Sequence, residues 1–339
     1  MFWVIVVPVA LLVAVAFVAA QFFGGPVKGL TRLGPWPESD YIWQKDQPGF
    51  ALLPNNMAIA DPDVVVIGDS FSMPNAWQSV VSQKTGLNIK TYNYLNNNNC
   101  FLPWIEQMAS GMEGQGKLIV VESIERLFME RFETPERCTV KSKFHISPVE
   151  KGFFSDSRST GFTQIDLMRQ LRTLNNMWQV HSNPMQPVGD WAVNVPLRRN
   201  DLFSNKRSDR LLYLKLDALR HQWTPAQIDR AVASLKAVQS RLEQVGFGFA
   251  LMVIPDKLHV YEDELLMPFE PHAAANLAKT LRQSGINAVD LLMPLKSRIY
   301  QDKDVYMPND DHLGPVGQQI LGDAVASFMT NRALTGSRR

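Results

Sequence analysis

Short, unbroken apolar runs punctuate the chain at Val64-Val65-Val66-Ile67, closed by Gly68, at Leu118-Ile119-Val120-Val121, at Phe249-Ala250-Leu251-Met252-Val253-Ile254 and, more weakly, from Ile286 to Leu291. Continuous apolarity over so few residues suits strands buried on both faces of a parallel sheet. Helical periodicity lies between them. Thr224 is placed to cap a helix that opens with Pro225, and Gln227 completes a capping box. The apolar stripe Ile228, Val232, Leu235, Val238, Leu242 and Val245 then runs to a stop at Gly246. The same spacing recurs after Ala273 and from Leu313 to Phe328, where Val316, Ile320, Ala324 and Phe328 follow one another at intervals of one turn. Buried strands alternating with amphipathic helices predict a layered α/β fold with a mainly parallel sheet, here placed at residues 61–335. Residues 139–223 have mixed character and no strong strand, and read as an insertion or subdomain over one end of that sheet.

The amino terminus has a different pattern. Residues 2–23 carry no charge and are dominated by Val, Ala, Leu, Ile and Phe, enough to cross a bilayer as a helix. Residues 1–23 are read as a membrane anchor; the alternative is a signal segment, since Val18-Ala19-Ala20 offers small residues before a cut. Gly24-Gly25-Pro26 and Pro35-Trp36-Pro37 mark residues 24–60 as a linker leading into the globular unit. The first basic side chains, Lys28 and Arg32, come after the apolar run, and by flanking charge alone they would keep the globular part in the cytoplasm.

Composition narrows the functional classes. With 34 Lys+Arg against 33 Asp+Glu the net charge is +1, so no broad basic field exists to hold nucleic acid. At 45% hydrophobic and 20% charged residues the chain can build a core, which excludes a disordered class. Cys100 and Cys138 are too few and too far apart for a CxxC metal or redox motif; a disulfide and two buried thiols are both open. His145, His181, His221, His259 and His272 show no paired metal-ligand spacing, so no metal is expected. Gly111, Gly114 and Gly116 precede a strand instead of coming after one and form no dinucleotide fingerprint; no cofactor is implied. Trp77, Trp104 and Trp191 could stack on sugars or fill the core.

Open α/β sheets place ligands at the carboxyl ends of their strands, so the residues just after each apolar run are the candidates for chemistry. The first run ends in Gly68-Asp69-Ser70-Phe71-Ser72. A serine on a tight strand-to-helix turn exposes its hydroxyl and aims its own N–H at a developing oxyanion, as an acyl-transfer nucleophile requires, although Asp69 and Ser70 would equally serve as caps of the next helix. Near the other end, Asn309-Asp310-Asp311-His312-Leu313-Gly314-Pro315 sets a histidine two residues after an aspartate, just before the last helix. Such a histidine can act as base while the carboxylate orients it. Ser70, His312 and Asp310 thus fill three triad roles, with Asp311 as the other candidate partner.

With these residues in place the sequence resembles the SGNH/GDSL hydrolase superfamily and, more narrowly, the SGNH-hydrolase-like domain of the alginate O-acetylation proteins. The resemblance rests on Val66-Ile67-Gly68-Asp69-Ser70-Phe71, on Val120-Val121-Glu122-Ser123-Ile124-Glu125-Arg126 and on Val253-Ile254-Pro255-Asp256-Lys257 with Tyr261. It continues through Val289-Asp290-Leu291-Leu292 and Tyr306 to Asp310-Asp311-His312-Leu313-Gly314 with Gly317. It implies a flavodoxin-like three-layer sandwich, with Ser70 as nucleophile, His312 as base and Asp310 as orienting carboxylate. Arg126 matches a position near the site, with an ion pair to Glu122 as the structural alternative, and Lys257 and Tyr261 line the same end of the sheet or belong to a solvated loop.

Two departures stand out. Ser70 precedes the Asp-x-His pair, the order of ordinary SGNH esterases and not of the alginate proteins, and the usual oxyanion glycine and Gly-x-Asn-Asp block are missing. The amide-rich loop after a second strand offers Asn96, Asn97 and Asn98 as substitute donors. The implied activity is that of a membrane-anchored, extracytoplasmic O-acetyltransferase decorating a polysaccharide, its globular domain in the periplasm and a membrane-bound O-acyltransferase as partner supplying acyl groups. An SGNH carbohydrate esterase and a noncatalytic polysaccharide-binding or assembly component are the alternatives.

Overall fold

The computed structural model describes residues 29–33, 36, 38–49, 51–53, 61–94, 101–112, 114, 116–133, 145–146, 191–269 and 274–336, with Val7, Val15, Trp178, Ser182 and Gly189. The expected membrane anchor at residues 1–23 lies outside them but for Val7 and Val15. Among the described residues no helix is long and apolar enough to cross a membrane. Both cysteines also fall outside.

In chain order the described elements begin with α1 (Gly29–Leu33), α2 (Glu38–Tyr41), β1 (Val64–Gly68), α3 (Ala76–Thr85), β2 (Ile89–Asn93), α4 (Phe101–Ser110), β3 (Leu118–Ile124) and α5 (Phe128–Phe132). They continue with β4 (His145–Ile146), β5 (Ala192–Pro196), β6 (Arg210–Leu214), α6 (Pro225–Gln244), β7 (Gly248–Ile254) and α7 (Lys257–Tyr261). The last are α8 (Leu277–Gln283), β8 (Ala288–Val289), α9 (Leu292–Arg298) and α10 (Pro315–Gly336). The main sheet has the order β4-β2-β1-β3-β7-β8. Only β4, at the edge, pairs antiparallel; β2, β1, β3, β7 and β8 run parallel.

Strand alternation explains why the apolar runs are continuous. Val64 and Val66 of β1, Val120 of β3, and Ala250, Met252 and Ile254 of β7 enter one core cluster with Trp77 and Val81 of α3 and Ile320, Leu321 and Val325 of α10. Their neighbours Val65, Ile67, Ile119, Val121, Phe249 and Leu251 face the other side, against Leu102 and Ile105 of α4, Phe128 of α5, Ile228, Leu235, Val238 and Leu242 of α6, and Leu281 of α8. Helices therefore cover both faces, and all of these strand residues are buried. The predicted capping box at Thr224 and Gln227 is present, and Gly246 ends the helix with a positive φ of 90°.

The sequence reading needs correction in the middle of the chain. Residues 139–223 contain a hairpin, β5 with β6, whose Val193, Leu211 and Tyr213 join the α3–α10 side of the core. Asn194 obscures its alternation, because this polar residue is buried and held by the Arg210 Nε–H at 2.6 Å. The fourth apolar run also shrinks to a two-residue strand, β8.

α3 comes directly after the turn that ends β1, α10 is the last described element, and the two helices pack on each other at Gly322. A Cβ there would lie 2.5 Å from Val80 Cβ and 2.9 Å from the Trp77 carbonyl oxygen. Gly322→Val is expected to destabilise the domain by about 1–3 kcal/mol through overpacking, read as a lower urea midpoint. An unchanged midpoint would show that this contact does not set the helix spacing.

Candidate active site

The turn after β1 is built by buried charge. Asp69 accepts hydrogen bonds from the Phe71 N–H at 3.0 Å, the Ile124 N–H at 3.3 Å and Arg131 Nη1 at 2.8 Å. Burial opposes its ionisation, yet Arg131 and these backbone donors hold its pKa below the usual value. Beside it, Glu122 of β3 accepts from the Asp69 N–H at 2.9 Å and the Ser72 hydroxyl at 2.8 Å. Burial, reinforced by the Asp69 charge, pushes its pKa well above the ordinary carboxylate value. Gly68 is required here, since a Cβ would stand 2.4 Å from Ser72 Oγ and 2.5 Å from Glu122 Oε2. α3 starts at Ala76 after Asn75, so Asp69 and Ser70 shape the turn and do not cap the helix.

Asp310 and His312 stand on a second turn, closed by the Tyr306–Leu313 bridge and by the Met307 N–H donating to the His312 carbonyl at 2.9 Å. Lys257 of α7 braces it from below: its buried ammonium donates to the carbonyls of Met307 at 2.7 Å, Pro308 at 3.0 Å and Asp310 at 3.0 Å. Three acceptors match its three hydrogens. Burial pushes the Lys257 pKa down to about 7, against the pull of Asp310 and Asp311. The Tyr261 hydroxyl accepts from the Tyr306 N–H at 3.3 Å. Both Lys257 and Tyr261 are buried, which sets aside the solvated-loop alternative.

The two turns meet. His312 Nε2 lies 2.8 Å from Ser70 Oγ, and His312 Nδ1 lies 2.6 Å from Asp310 Oδ1, which also accepts the His312 N–H at 3.1 Å. The Phe71 ring flanks the imidazole at 4.7 Å between centroids. Burial lowers the His312 pKa, but Asp310 and Asp311 outweigh it and raise the ring to about 9. Asp310 is pushed up by burial and drawn down further by His312, ending well below the usual carboxylate range. The geometry can pass a proton from Ser70 to a ring whose tautomer Asp310 fixes.

Asp311 lies 3.4 Å from His312 Nδ1 and is turned toward Arg126 instead, whose Nη2 is 2.5 Å from its Oδ2. Arg126 also reaches Asp256 at 2.7 Å and Asp217 at 3.5 Å. It does not pair with Glu122, which is engaged at the serine turn. Burial and mutual repulsion raise Asp256 well above the ordinary carboxylate pKa and Asp217 to about 7. One guanidinium thus serves three carboxylates.

Asp310, Asp311 and His312 place one ligand atom each within 4.8 Å, a spacing open to a cation, but Arg126 and the serine already engage Asp311 and His312. Asn96, Asn97 and Asn98 lie outside the described residues. Trp77 and Trp104 are core residues, while Trp191 is 69% exposed. The sequence reading missed Asn93, in register with Gly68 across β1 and β2, which brings a side-chain amide to the same end of the sheet. It assigned no role to Asp256, Asp217 or Arg131 either: the first two meet at Arg126 and the third meets Asp69, each pairing joining residues far apart in the chain.

Fold and site define a class: a mainly parallel α/β domain with a serine, a histidine and an aspartate hydrogen-bonded in line at the carboxyl ends of its strands. Residues 208–339 match the family described as the SGNH hydrolase-like domain of the acetyltransferase AlgX. The match takes in Lys257, Tyr261, Asp310 and His312, lies C-terminal to Ser70 and Arg126, and points to an acetyltransferase-related function. No curated protein matches the chain.

Replacing Arg126 with Met leaves Asp217, Asp256 and Asp311 without their cation. Arg126→Met should lower stability by about 3–5 kcal/mol near neutral pH. Carboxylates whose folded pKa is raised regain stability as pH falls, so the deficit should narrow toward about pH 4. Denaturant melts at both pH values test this; a deficit that grows on acidification would contradict it.

Proposed function

We propose that this chain is a membrane-tethered, extracytoplasmic O-acetyltransferase of the SGNH type that modifies a polysaccharide through an acyl-enzyme on Ser70. The observation that carries the reading is the continuous line Ser70 Oγ, His312 Nε2, His312 Nδ1 and Asp310 Oδ1, at 2.8 and 2.6 Å. The strand order β2-β1-β3-β7-β8 supports it, being that of a flavodoxin-like SGNH sandwich with Ser70 at the switch point between β1 and β3. The tether and the periplasmic placement rest on the apolar residues 2–23 and on the resemblance.

Ser70 gives its proton to His312 and attacks the carbonyl of an acetyl donor, forming a tetrahedral oxyanion. The Ser70 N–H is the donor proposed for that charge, and the Asn93 amide, which donates to Met73 Sδ at 3.3 Å, lies at the same end of the sheet as a second candidate. Collapse expels the donor's leaving group, which takes the proton from His312, and leaves acetyl on Ser70. A sugar hydroxyl, deprotonated in turn by His312, then receives the acetyl group. Acetyl groups for an extracytoplasmic site come from a membrane-bound O-acyltransferase partner.

Full-length protein in detergent, exposed to an activated acetyl ester, should acquire an acetyl adduct on Ser70 by mass spectrometry, and Ser70→Ala should lose it while remaining folded. An oligosaccharide acceptor should speed turnover and emerge acetylated; turnover to free acetate alone would make the protein an esterase, and no adduct would remove the acyl-enzyme. A base must be neutral to act. With the His312 pKa at about 9, kcat/KM should climb about tenfold per pH unit and level near pH 9. A profile flat from neutral pH upward would exclude His312 as the base.

A further inference from the structure

Asp310 has two carboxylate oxygens, and the hydrogen bonds to His312 use Oδ1. Oδ2 faces the amino-terminal segment: a Cβ on Gly29, whose φ is +55°, would sit 2.3 Å from Asp310 Oδ2 and 2.7 Å from the Asn309 carbonyl oxygen. The next residue, Leu30, donates its N–H to that carbonyl at 2.9 Å. The Asn309 side-chain amide donates to Glu38 Oε1, and the Thr31 hydroxyl donates to Glu38 Oε2. Both oxygens of one buried carboxylate are thereby spent on tying α1 and α2 to the residue before Asp310.

The segment has a firm abutment on its other side. Leu30, Trp36 and Tyr41 are buried against Ala192 of β5 and Leu212 of β6. The Tyr41 hydroxyl accepts from Asn194 Nδ2 at 2.5 Å, and Asn194 is held in turn by Arg210. A strap fixed at the hairpin and pressed on Asn309 and Asp310 limits rotation of the Asp310 carboxylate away from the imidazole.

We propose that α1 and α2, residues 29–33 and 38–41, form a clasp over the Asp-x-His turn, in which Gly29 and Glu38 are positioning residues that hold Asp310 against His312. The proposal rests on the reading of Ser70, His312 and Asp310 as the reacting group, but its test can be read without turnover. Among the described residues, the charged groups besides Asp310 that act on His312 include Asp311 on the same turn and Arg126 from the turn after β3. Lys257 of α7 lies beneath that turn, bound to its carbonyls. Neither Gly29→Ala nor Glu38→Ala changes any of these groups.

The test is the His312 titration midpoint, tracked by NMR in full-length protein labelled at histidine nitrogen, beside kcat for an activated acetyl ester. In Gly29→Ala and Glu38→Ala the midpoint should fall by about one unit or more from its wild-type value near 9, toward the ordinary histidine range. kcat should fall about 10- to 100-fold with KM unchanged, as expected for a misplaced reacting group. Glu38→Gln keeps an acceptor for Asn309 and should restore both. Should Gly29→Ala fail to fold, the Glu38 pair carries the comparison. A folded Glu38→Ala protein with the wild-type midpoint overturns the clasp. Wild-type protein that forms no acyl adduct, yet whose His312 midpoint drops in the variants, would refute the acyl-transfer reading and leave the clasp standing.

Discussion

Ser70 and His312 come from nearly opposite ends of the chain, and what unites them is the packing of the two helices that come after them. α3 begins just past the serine turn and α10 begins three residues after the histidine; they cross at Gly322, where Val80 and Trp77 leave no room for a side chain. Both helices cover the same face of the sheet, so their amino-terminal ends lie beside the carboxyl end of β1. The 2.8 Å contact between Ser70 and His312 depends on that spacing. Close-packed interiors transmit such spacing with little slack.

Around this contact buried charge stiffens the site alongside the apolar packing of Phe71 on His312. Arg126 is shared among Asp217, Asp256 and Asp311, Lys257 is spent on three backbone carbonyls, and Asp69 with Arg131 shapes the serine turn. Burying so many ions is costly unless each is paired and hydrogen-bonded, and breaking one partner exposes the full penalty to the rest. The consequence for chemistry is directional. Arg126 draws Asp311 to itself, which leaves Asp310 as the carboxylate closest to His312 Nδ1, at 2.6 Å against 3.4 Å.

Much of the architecture was legible because its signals are local. The runs at β1, β3 and β7 are apolar at every position since each residue meets a helix layer on one face or the other. The α6 capping box involves residues three apart, and Asp310 and His312 are two apart, so their relation is written along the chain. The β5–β6 hairpin escaped because its buried Asn194 and its terminal Pro196 look like loop residues until Arg210 is brought alongside. Of the two readings of Arg126, a place near the site or an ion pair with its sequence neighbour Glu122, the second fails, because Glu122 belongs to the serine turn while Arg126 reaches across the sheet end to Asp256 and Asp311.

By itself, the sequence marked the strands β1, β3 and β7, the capped helix α6, and Ser70, His312 and Asp310 as candidates for chemistry, because periodicity, capping and residue type act over a few neighbouring positions. Tertiary structure decided which of two adjacent aspartates faces the imidazole, what neutralises the other, and that Gly29 and Glu38 from the amino-terminal segment bear on Asn309 and Asp310. Those outcomes depend on distances between residues hundreds of positions apart. They are set only when the sheet order and the α3–α10 crossing bring the separate turns to one end of the fold.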